Sequence, residues 1–521
     1  MLTTLWSLAS PLMSVPDEPN HAIKAAAVAR GQLQAQSSGV QGDPLVVHVP
    51  GYFADLGMKK CFAFDPSVTA ACTPPIDAGN RALTAAGTTA GNYNPLYYVL
   101  VGLPSRLLAG APALYSMRII SGLLSAAFMA MAFMAAIRMR RGKWPLVASA
   151  VALTPMVLFL SGSINGNSLE IVTTAAFFLN LCVALENAQT LTRVKPQIIA
   201  VGISGAVLAN TRALSLAWLS AAFIVALLMF GWRPLSAIVK DGWGLAMTLL
   251  TGVGCAAGLA WLVFADSFKS LGGTPSSVSP ELAFATMLDR TLDYANGYIG
   301  VMGWLDSPSP QGVQIFWHFA FAAVLLGGLT SRPFNNRWSI LALIAAVIIL
   351  PPILQSQVIT ELGYIWQGRY LLALVVLLLL ACGVAMRFRS VSNSLTARSV
   401  ARWTLSIAVA AHVYAFVYTL RRYTVGVVPE RTNWFEMGEP LWQPPLTWQV
   451  LTALYLGTLC IGAFLVYREL LKPNKGSNAH PALRAQAEYS PAAADPAREP
   501  DPLSLVGSSQ DRSRQGAAAS A

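Results

Sequence analysis

The sequence predicts an all-α polytopic integral membrane protein with about 12 transmembrane helices. Three observations predict it. Hydrophobic residues make up 55% of the 521 and charged residues only 11%, where a soluble chain carries roughly a quarter charged. The apolar residues come in long runs, as membrane spans require. The basic residues gather in alternate loops, the pattern that orients spans. The net charge of +11 therefore speaks of topology, not of a nucleic-acid surface.

Leu2 to Val15 is short for a span and no basic residue precedes it. It lacks the charged start and small-residue cleavage site of a signal peptide. It reads as a first transmembrane helix, short or truncated as a misassigned start codon would leave it. Residues 16–113 then form a first extracytoplasmic loop. Its opening, Val15-Pro16-Asp17-Glu18-Pro19-Asn20-His21-Ala22-Ile23-Lys24, sets two carboxylates at the foot of a span. Pro19 suits a first helical position with Asp17 or Glu18 near the cap. Positions 17, 21 and 24 then share a face, which gathers Asp17, His21 and Lys24. An acid, an imidazole and an amine at a membrane surface could handle protons and anionic substrates. An ordinary capped helix after an anchor would look the same. Residues 16–93 read as a small mixed subdomain.

Asn94-Pro95-Leu96-Tyr97-Tyr98 opens a segment ending near Ala109, with Asn94 as cap and Pro95 in the first turn. Gly102, Pro104 and Arg106 make it a poor span. It reads as an interfacial helix with Tyr97 and Tyr98 at headgroup level. Leu114 to Ile137 is long enough to span and ends at Arg138-Met139-Arg140-Arg141-Gly142-Lys143, a loop that the positive-inside rule puts in the cytoplasm. The remaining spans follow at 145–161, 168–186, 197–210, 213–231, 243–265, 313–330, 338–354, 370–386, 403–420 and 447–467, with both termini inside. Arg421-Arg422 is the exception, a basic pair at the outer end of its span. Residues 267–312 form a second long outer loop and 355–369 a third outer segment. Residues 1–470 make up the transmembrane domain. The cytoplasmic tail, 471–521, is rich in Ala, Pro and Ser, a composition expected to be disordered.

Of the six cysteines, Cys182, Cys255, Cys382 and Cys460 lie in apolar runs and serve as small packing residues. Cys61 and Cys72 both fall in the first loop. In an oxidising compartment they could form a disulfide; otherwise they are two free thiols. No spacing suggests a zinc site.

Polar residues at span ends cluster on the outer side. Besides Asp17 and Glu18 they are Asn165, Asn167 and Glu170, then Asn210 and Arg212, and finally Arg369. Ionisable groups at membrane depth are costly and usually face a cavity or a partner. Glu170 could instead serve a helix dipole, and Arg369 could be a snorkelling anchor. Arg118, early in its span, could pair with an acidic loop residue or only stabilise packing. The chain has no Walker loop, no dinucleotide fingerprint, no His-Glu-x-x-His and no Gly-x-Ser-x-Gly. ATP-driven chemistry within the chain is therefore not expected, and an outer-side enzyme would need a substrate already activated.

A span, an acidic pair, Pro-Leu-Tyr-Tyr, and Ala113-Leu114-Tyr115-Ser116-Met117-Arg118 opening the next span together resemble the GT-C membrane glycosyltransferases. Pro16-Asp17-Glu18-Pro19-Asn20-His21 and Gly368-Arg369-Tyr370 resemble a poorly characterised bacterial branch of that clan. The resemblance runs from residue 1 to about 470. It implies a GT-C-like fold in the bacterial inner membrane, with the active site facing outside. It implies inverting transfer of a sugar from a polyprenyl-phosphate donor to a glycan, lipid or protein acceptor of the cell envelope, without nucleic acid. Asp17 would be the general base. Glu18 would assist, orient His21 or bind a divalent cation, which is left open as a cofactor. Arg369 or Arg212 would hold the leaving phosphate. His21, Lys24, Tyr97, Tyr98, Arg118, Asn165, Asn167, Glu170, Gln367 and Tyr370 complete the candidate substrate-binding set. The sequence departs from many relatives in its short first span and in having Asn165, Asn167 and Glu170 where they place an Asp. A transporter or flippase of lipid-linked glycans, or a non-catalytic partner with the same fold, would use the same polar face.

Overall fold

The computed structural model describes residues 1–38, 43–139, 142–267, 274–333, 336–389, 394–428 and 432–472. From Pro473 on, the tail expected to be disordered lies outside the described residues. The described part is a helical, multi-pass membrane protein whose two small antiparallel hairpins do not close into a larger sheet.

Helix α1, Leu2–Ala9, is only eight residues long. The expected span breaks because Pro11 disfavours a helical Ser10, which is extended at φ −86° and ψ 131°. It is not a lipid-facing anchor either. Trp6 is buried against Phe159, Phe416 and Tyr455 and donates to the Tyr455 hydroxyl at 3.2 Å. Helix α2, Glu18–Val28, follows with Pro19 in its first turn. Strands β1, Leu45–Pro50, and β2, Leu83–Thr88, pair antiparallel with Val47 opposite Ala86, the mixed subdomain expected in this loop. Helix α3, Pro95–Gly102, is capped by Asn94, which accepts from Leu96 N. It packs so closely on α2 that a Cβ at Gly102 would lie 2.0 Å from the Ala25 carbonyl. Tyr97 and Tyr98 turn inward and are buried. They face the protein interior, and Leu96, Val99, Leu100 and Leu103 form the exposed face instead.

Helices α4, Gly110–Arg138; α5, Trp144–Ala152; α6, Pro155–Ser161; and α7, Gly166–Glu186, come next. The expected span 145–161 is broken by 63° between α5 and α6. Pro155 forces Thr154 into an extended conformation, and the Thr154 hydroxyl bonds outward to Tyr298 O at 2.8 Å. Helices α8, Lys195–Ala209; α9, Ser215–Phe230; α10, Trp232–Lys240; and α11, Gly242–Phe264, follow. At 15 residues α8 is shorter than a span usually needs, and the chain bends by 109° between α9 and α10.

The second loop carries α12, Pro280–Asp289; α13, Thr291–Ile299; and the two-residue strands β3, Val301–Met302, and β4, Ser307–Pro308. The last helices are α14, Gln311–Leu329; α15, Asn336–Leu362; α16, Leu372–Ala385; α17, Leu395–Thr424; and α18, Trp448–Leu471. Helix α15 runs through Pro351 and Pro352, so the third outer segment begins later than expected. Gln355 closes its end: Nε2 donates to Gly363 O at 2.7 Å, and Oε1 accepts from the backbone of Ile365 and Trp366. Among the described residues eight helices are long and apolar enough to cross a membrane, or up to ten if each bent pair counts as one. The expected count of 12 is not confirmed, since α1 and α8 are short. Helices α7 and α16 form the enclosed core of the bundle.

The basic pair Arg421-Arg422 is explained by its partners. Arg422 is fully buried and donates to the carbonyls of Phe62, Asp65 and Val68 and to Asp306 Oδ2 at 2.9 Å. It joins the first loop, the second loop and the end of α17. Cys61 and Cys72 form a disulfide around that carbonyl set. Replacing both by serine is expected to cost about 2–4 kcal/mol and to loosen the 62–68 segment. Peptide mapping without reductant should recover the linked pair; two alkylatable thiols in membrane-extracted protein would remove the bridge.

Candidate active site

Two neighbouring carboxylates leave the chain in opposite directions. Asp17 adopts a left-handed backbone, φ 67° and ψ −2°, a conformation an Asp tolerates better than most residues. Its side chain does not cap α2. Oδ2 instead accepts from Arg369 Nη2 at 2.5 Å, and the Asp17 side chain remains 39% exposed. Glu18 is 0% exposed. Both its oxygens take Arg118, at 2.7 and 2.6 Å, and Oε1 also accepts from Ile164 N. Arg118 further donates to the carbonyls of Ser7, Ser10 and Pro11. The structure therefore corrects Glu18 and Arg118 from site residues to a sealed structural pair, and it leaves Glu18 no face for a cation.

Arg369 is the second fixed point. Nη1 donates to Pro16 O at 3.0 Å and Nε to Gln367 Oε1 at 2.6 Å, so Gln367 orients the guanidinium that meets Asp17. The glycine before it is required by packing: a Cβ at Gly368 would lie 2.3 Å from the Tyr294 carbonyl and 3.1 Å from Gly297 Cα. Helix α13 of the second loop thus rests on the turn that aims Arg369.

Around this pair stand aromatic rings and a second guanidinium. Arg212 lies over the rings of Tyr93 and Tyr370, at 5.6 and 5.7 Å, and Arg369 over Tyr370 at 5.2 Å. His21 Nδ1 and the Tyr98 hydroxyl are 2.6 Å apart, and the His21 ring packs against Tyr93 and Tyr98. Burial raises the Asp17 carboxyl, but Arg369 above all, with Arg212, outweighs it and holds the carboxyl below its usual range. Burial pushes His21 down to about 3 despite the Asp17 carboxylate, so the ring is neutral. Burial also raises the Tyr93 and Tyr98 phenols, which keeps them as hydrogen-bond donors.

The other candidates divide. Asn165 caps α7 by accepting from Asn167 N, and its Nδ2 reaches Pro16 O at 3.3 Å, the same carbonyl that Arg369 holds. Glu170 accepts from Ser215 Oγ at 2.7 Å and feels Arg212 electrostatically. Asn167 is buried with both side-chain polar atoms unpartnered. Tyr97 binds Ser121 at 2.8 Å and joins α3 to α4. Lys24 is turned away from Asp17. Its amine donates to the carbonyls of Leu33 and Gly91 at 2.6 Å, and burial pushes it down to about 7. Its position on the helical face was read correctly, but its length carries the amine elsewhere. By fixing Gly91 it positions Tyr93, a site residue that sequence reasoning missed. The dense Asn92-Tyr93-Asn94 run was the available signal. Among the described residues no group of three or more His, Cys, Asp or Glu could hold a metal ion.

A half-exposed carboxylate, two guanidinium groups and three neutral aromatic donors can hold an anion and accept a proton from a hydroxyl beside it.

A family model described as "Predicted membrane protein (DUF2142)" matches residues 1–378. No curated protein matches the chain. Among solved structures, the chain is similar to ArnT from Cupriavidus metallidurans bound to undecaprenyl phosphate. That match has 12% identity and a TM-score of 0.42, and covers 90% of this chain and 74% of that one. The apo state of the same protein matches with 12% identity and a TM-score of 0.38, covering 90% and 75%.

The neutral His21 predicts a pH dependence. Its value is about 6.5 when unfolded and about 3 when folded. Between those values the unfolded chain binds a proton that the folded site refuses. Stability is therefore present above about pH 6.5 and falls as pH drops toward 3. His21→Gln should lose this part of the slope. Thermal midpoints measured from about pH 7.5 to about pH 4.5 check it; parallel curves for wild type and variant would mean that His21 is not held neutral.

Proposed function

The chain belongs to the DUF2142 family of predicted membrane proteins, and from its site we propose that it is a membrane glycosyltransferase of the GT-C kind. The donor would be a sugar on a polyprenyl phosphate, and the acceptor a hydroxyl of an envelope glycan, lipid or protein on the outer face of a bacterial plasma membrane. One observation carries the reading: of two adjacent carboxylates, Asp17 alone is open, and it is bonded to Arg369 and feels the charge of Arg212. Residues 1–470 would form the transmembrane domain, with both termini inside and the loops 16–113 and 267–312 outside. The basic loops support that orientation.

In the proposed step Asp17 takes the proton of the acceptor hydroxyl. The acceptor oxygen bonds to the anomeric carbon as the bond from that carbon to the phosphate oxygen breaks. The electron pair leaves with the polyprenyl phosphate, whose charge Arg369 and Arg212 receive. Asp17 bonded to Arg369 is a weak base, because its carboxyl is held low. A donor phosphate competes for the Arg369 guanidinium, and drawing it away raises the Asp17 carboxyl toward the range of a useful base. Donor binding and base activation thus become one event.

The test is purified protein incubated with a panel of polyprenyl-phosphate sugars and scored for release of the lipid phosphate. Asp17→Asn should fold normally and fall by on the order of 10²–10⁴-fold in rate. Arg369→Lys should impair donor use more than folding, since an ammonium is a point charge without the planar fork that can hold a phosphate bidentately. Glu18→Gln should lower the thermal midpoint while sparing the rate of the molecules that fold. Release at the wild-type rate by Asp17→Asn would end its role as base, and no release from any donor by wild type would end the reading.

A further inference from the structure

Far from Asp17 in sequence, α17 and α18 border a long apolar groove. Val409, Val413 and Val417 of α17 face Leu456 and Phe464 of α18, with Trp434 near one end and Arg402 near the other. The groove holds about 1810 Å³, including space open to the surroundings. From Arg402 to Val417 it follows α17 for about 22 Å, a large part of the roughly 30 Å of membrane hydrocarbon. Both helices are apolar enough to span. Water at that depth would find few hydrogen-bond partners, so the groove suits a hydrocarbon chain.

The two ends differ in charge. Near Trp434, Arg421 is already engaged: Nε donates to Asn433 Oδ1 at 2.8 Å and the guanidinium lies 4.6 Å from the Trp434 ring. At the opposite end Arg402 and Arg398 stand one helical turn apart and so share a face. Both are exposed, and neither has a side-chain ion pair or hydrogen bond among the described residues. The charge that the groove presents for a ligand is therefore positive and sits at one end, beside the phenol of Tyr467.

We propose that this groove binds an anionic phospholipid, with a chain along α17 and the headgroup phosphate on Arg398 and Arg402. Neither arginine belongs to the Asp17 site, so the proposal stands independently of the transferase reading. The full-length protein, exchanged in detergent with phosphatidylglycerol, phosphatidylcholine or undecaprenyl phosphate, would be examined by native mass spectrometry for retained lipid. Wild type should retain phosphatidylglycerol over phosphatidylcholine by on the order of tenfold, as two arginines near an anionic headgroup provide. The double variant Arg398→Gln/Arg402→Gln should lose that preference. Ala410→Trp, at an exposed groove position, should lower retention of either phospholipid without touching the core. Cys460 gives a second readout, since its exposed thiol lines the groove and should react more slowly with a maleimide when phosphatidylglycerol is bound. Equal retention of the two phospholipids by wild type, unchanged retention in Ala410→Trp, or preferred retention of undecaprenyl phosphate would each overturn the assignment.

Discussion

The buried pair of Glu18 and Arg118 is the constraint on which the rest depends. Five Arg118 contacts and one backbone amide meet at this point: the two Glu18 oxygens, the carbonyls of Ser7, Ser10 and Pro11, and Ile164 N. They tie the end of α1, the turn before α2, the body of α4 and the loop before α7. A buried pair need not add net stability, but leaving one partner alone costs about 3–5 kcal/mol. Neither residue can change without the other. With Glu18 anchored inward, the residue before it has little freedom. Asp17 takes a left-handed conformation and faces the other way. The sealed carboxylate thereby aims the open one.

A second clamp closes on the same turn from the far end of the chain. The Pro16 carbonyl receives Arg369 and Asn165, so three segments separated by about 150 and 350 residues of sequence meet over one peptide. Arg369 is itself held by Gln367, Gln355 shapes the backbone just before it, and α13 presses on Gly368. Rotamer freedom is removed from the guanidinium before any ligand arrives, which lowers the entropy lost on binding.

Much of this was legible in the sequence where the physics is local. The long spans were readable because hydrocarbon thickness imposes length and hydropathy, and α7, α11, α14 and α16 begin and end within a few residues of expectation. The cap at Asn94 and the proline in the first turn of α2 are local chemistry and were readable too. The failures are tertiary. A run such as Leu2 to Val15 reads as an anchor, yet its helix stops at Ala9 and is enclosed by aromatic side chains. Nothing in Asp17-Glu18 says which acid is sealed, because the answer lies in Arg118, a hundred residues away. Lys24 shares a face with His21, but its four-carbon stem reaches a carbonyl that no spacing rule identifies. Arg421-Arg422 contradicts a charge count until Asp306 and the disulfide-bounded loop are seen to receive Arg422.

The distribution of satisfied charge then separates scaffold from chemistry. Arg118, Arg422 and Lys24 are enclosed, and each is held by carbonyls or a buried carboxylate. Such groups are bound to the fold. Asp17 is different in one respect: its partner Arg369 is enclosed, but the carboxylate itself stays partly open. An ion pair with one open member can be exchanged, because an incoming anion replaces the carboxylate on the same guanidinium at little cost in desolvation. The neutral His21 and the protonated phenols beside it do not compete for that anion. They line the exchange site with donors and leave its charge balance to Asp17, Arg369 and Arg212. In the proposed reading, the site is built less to hold Asp17 than to release it.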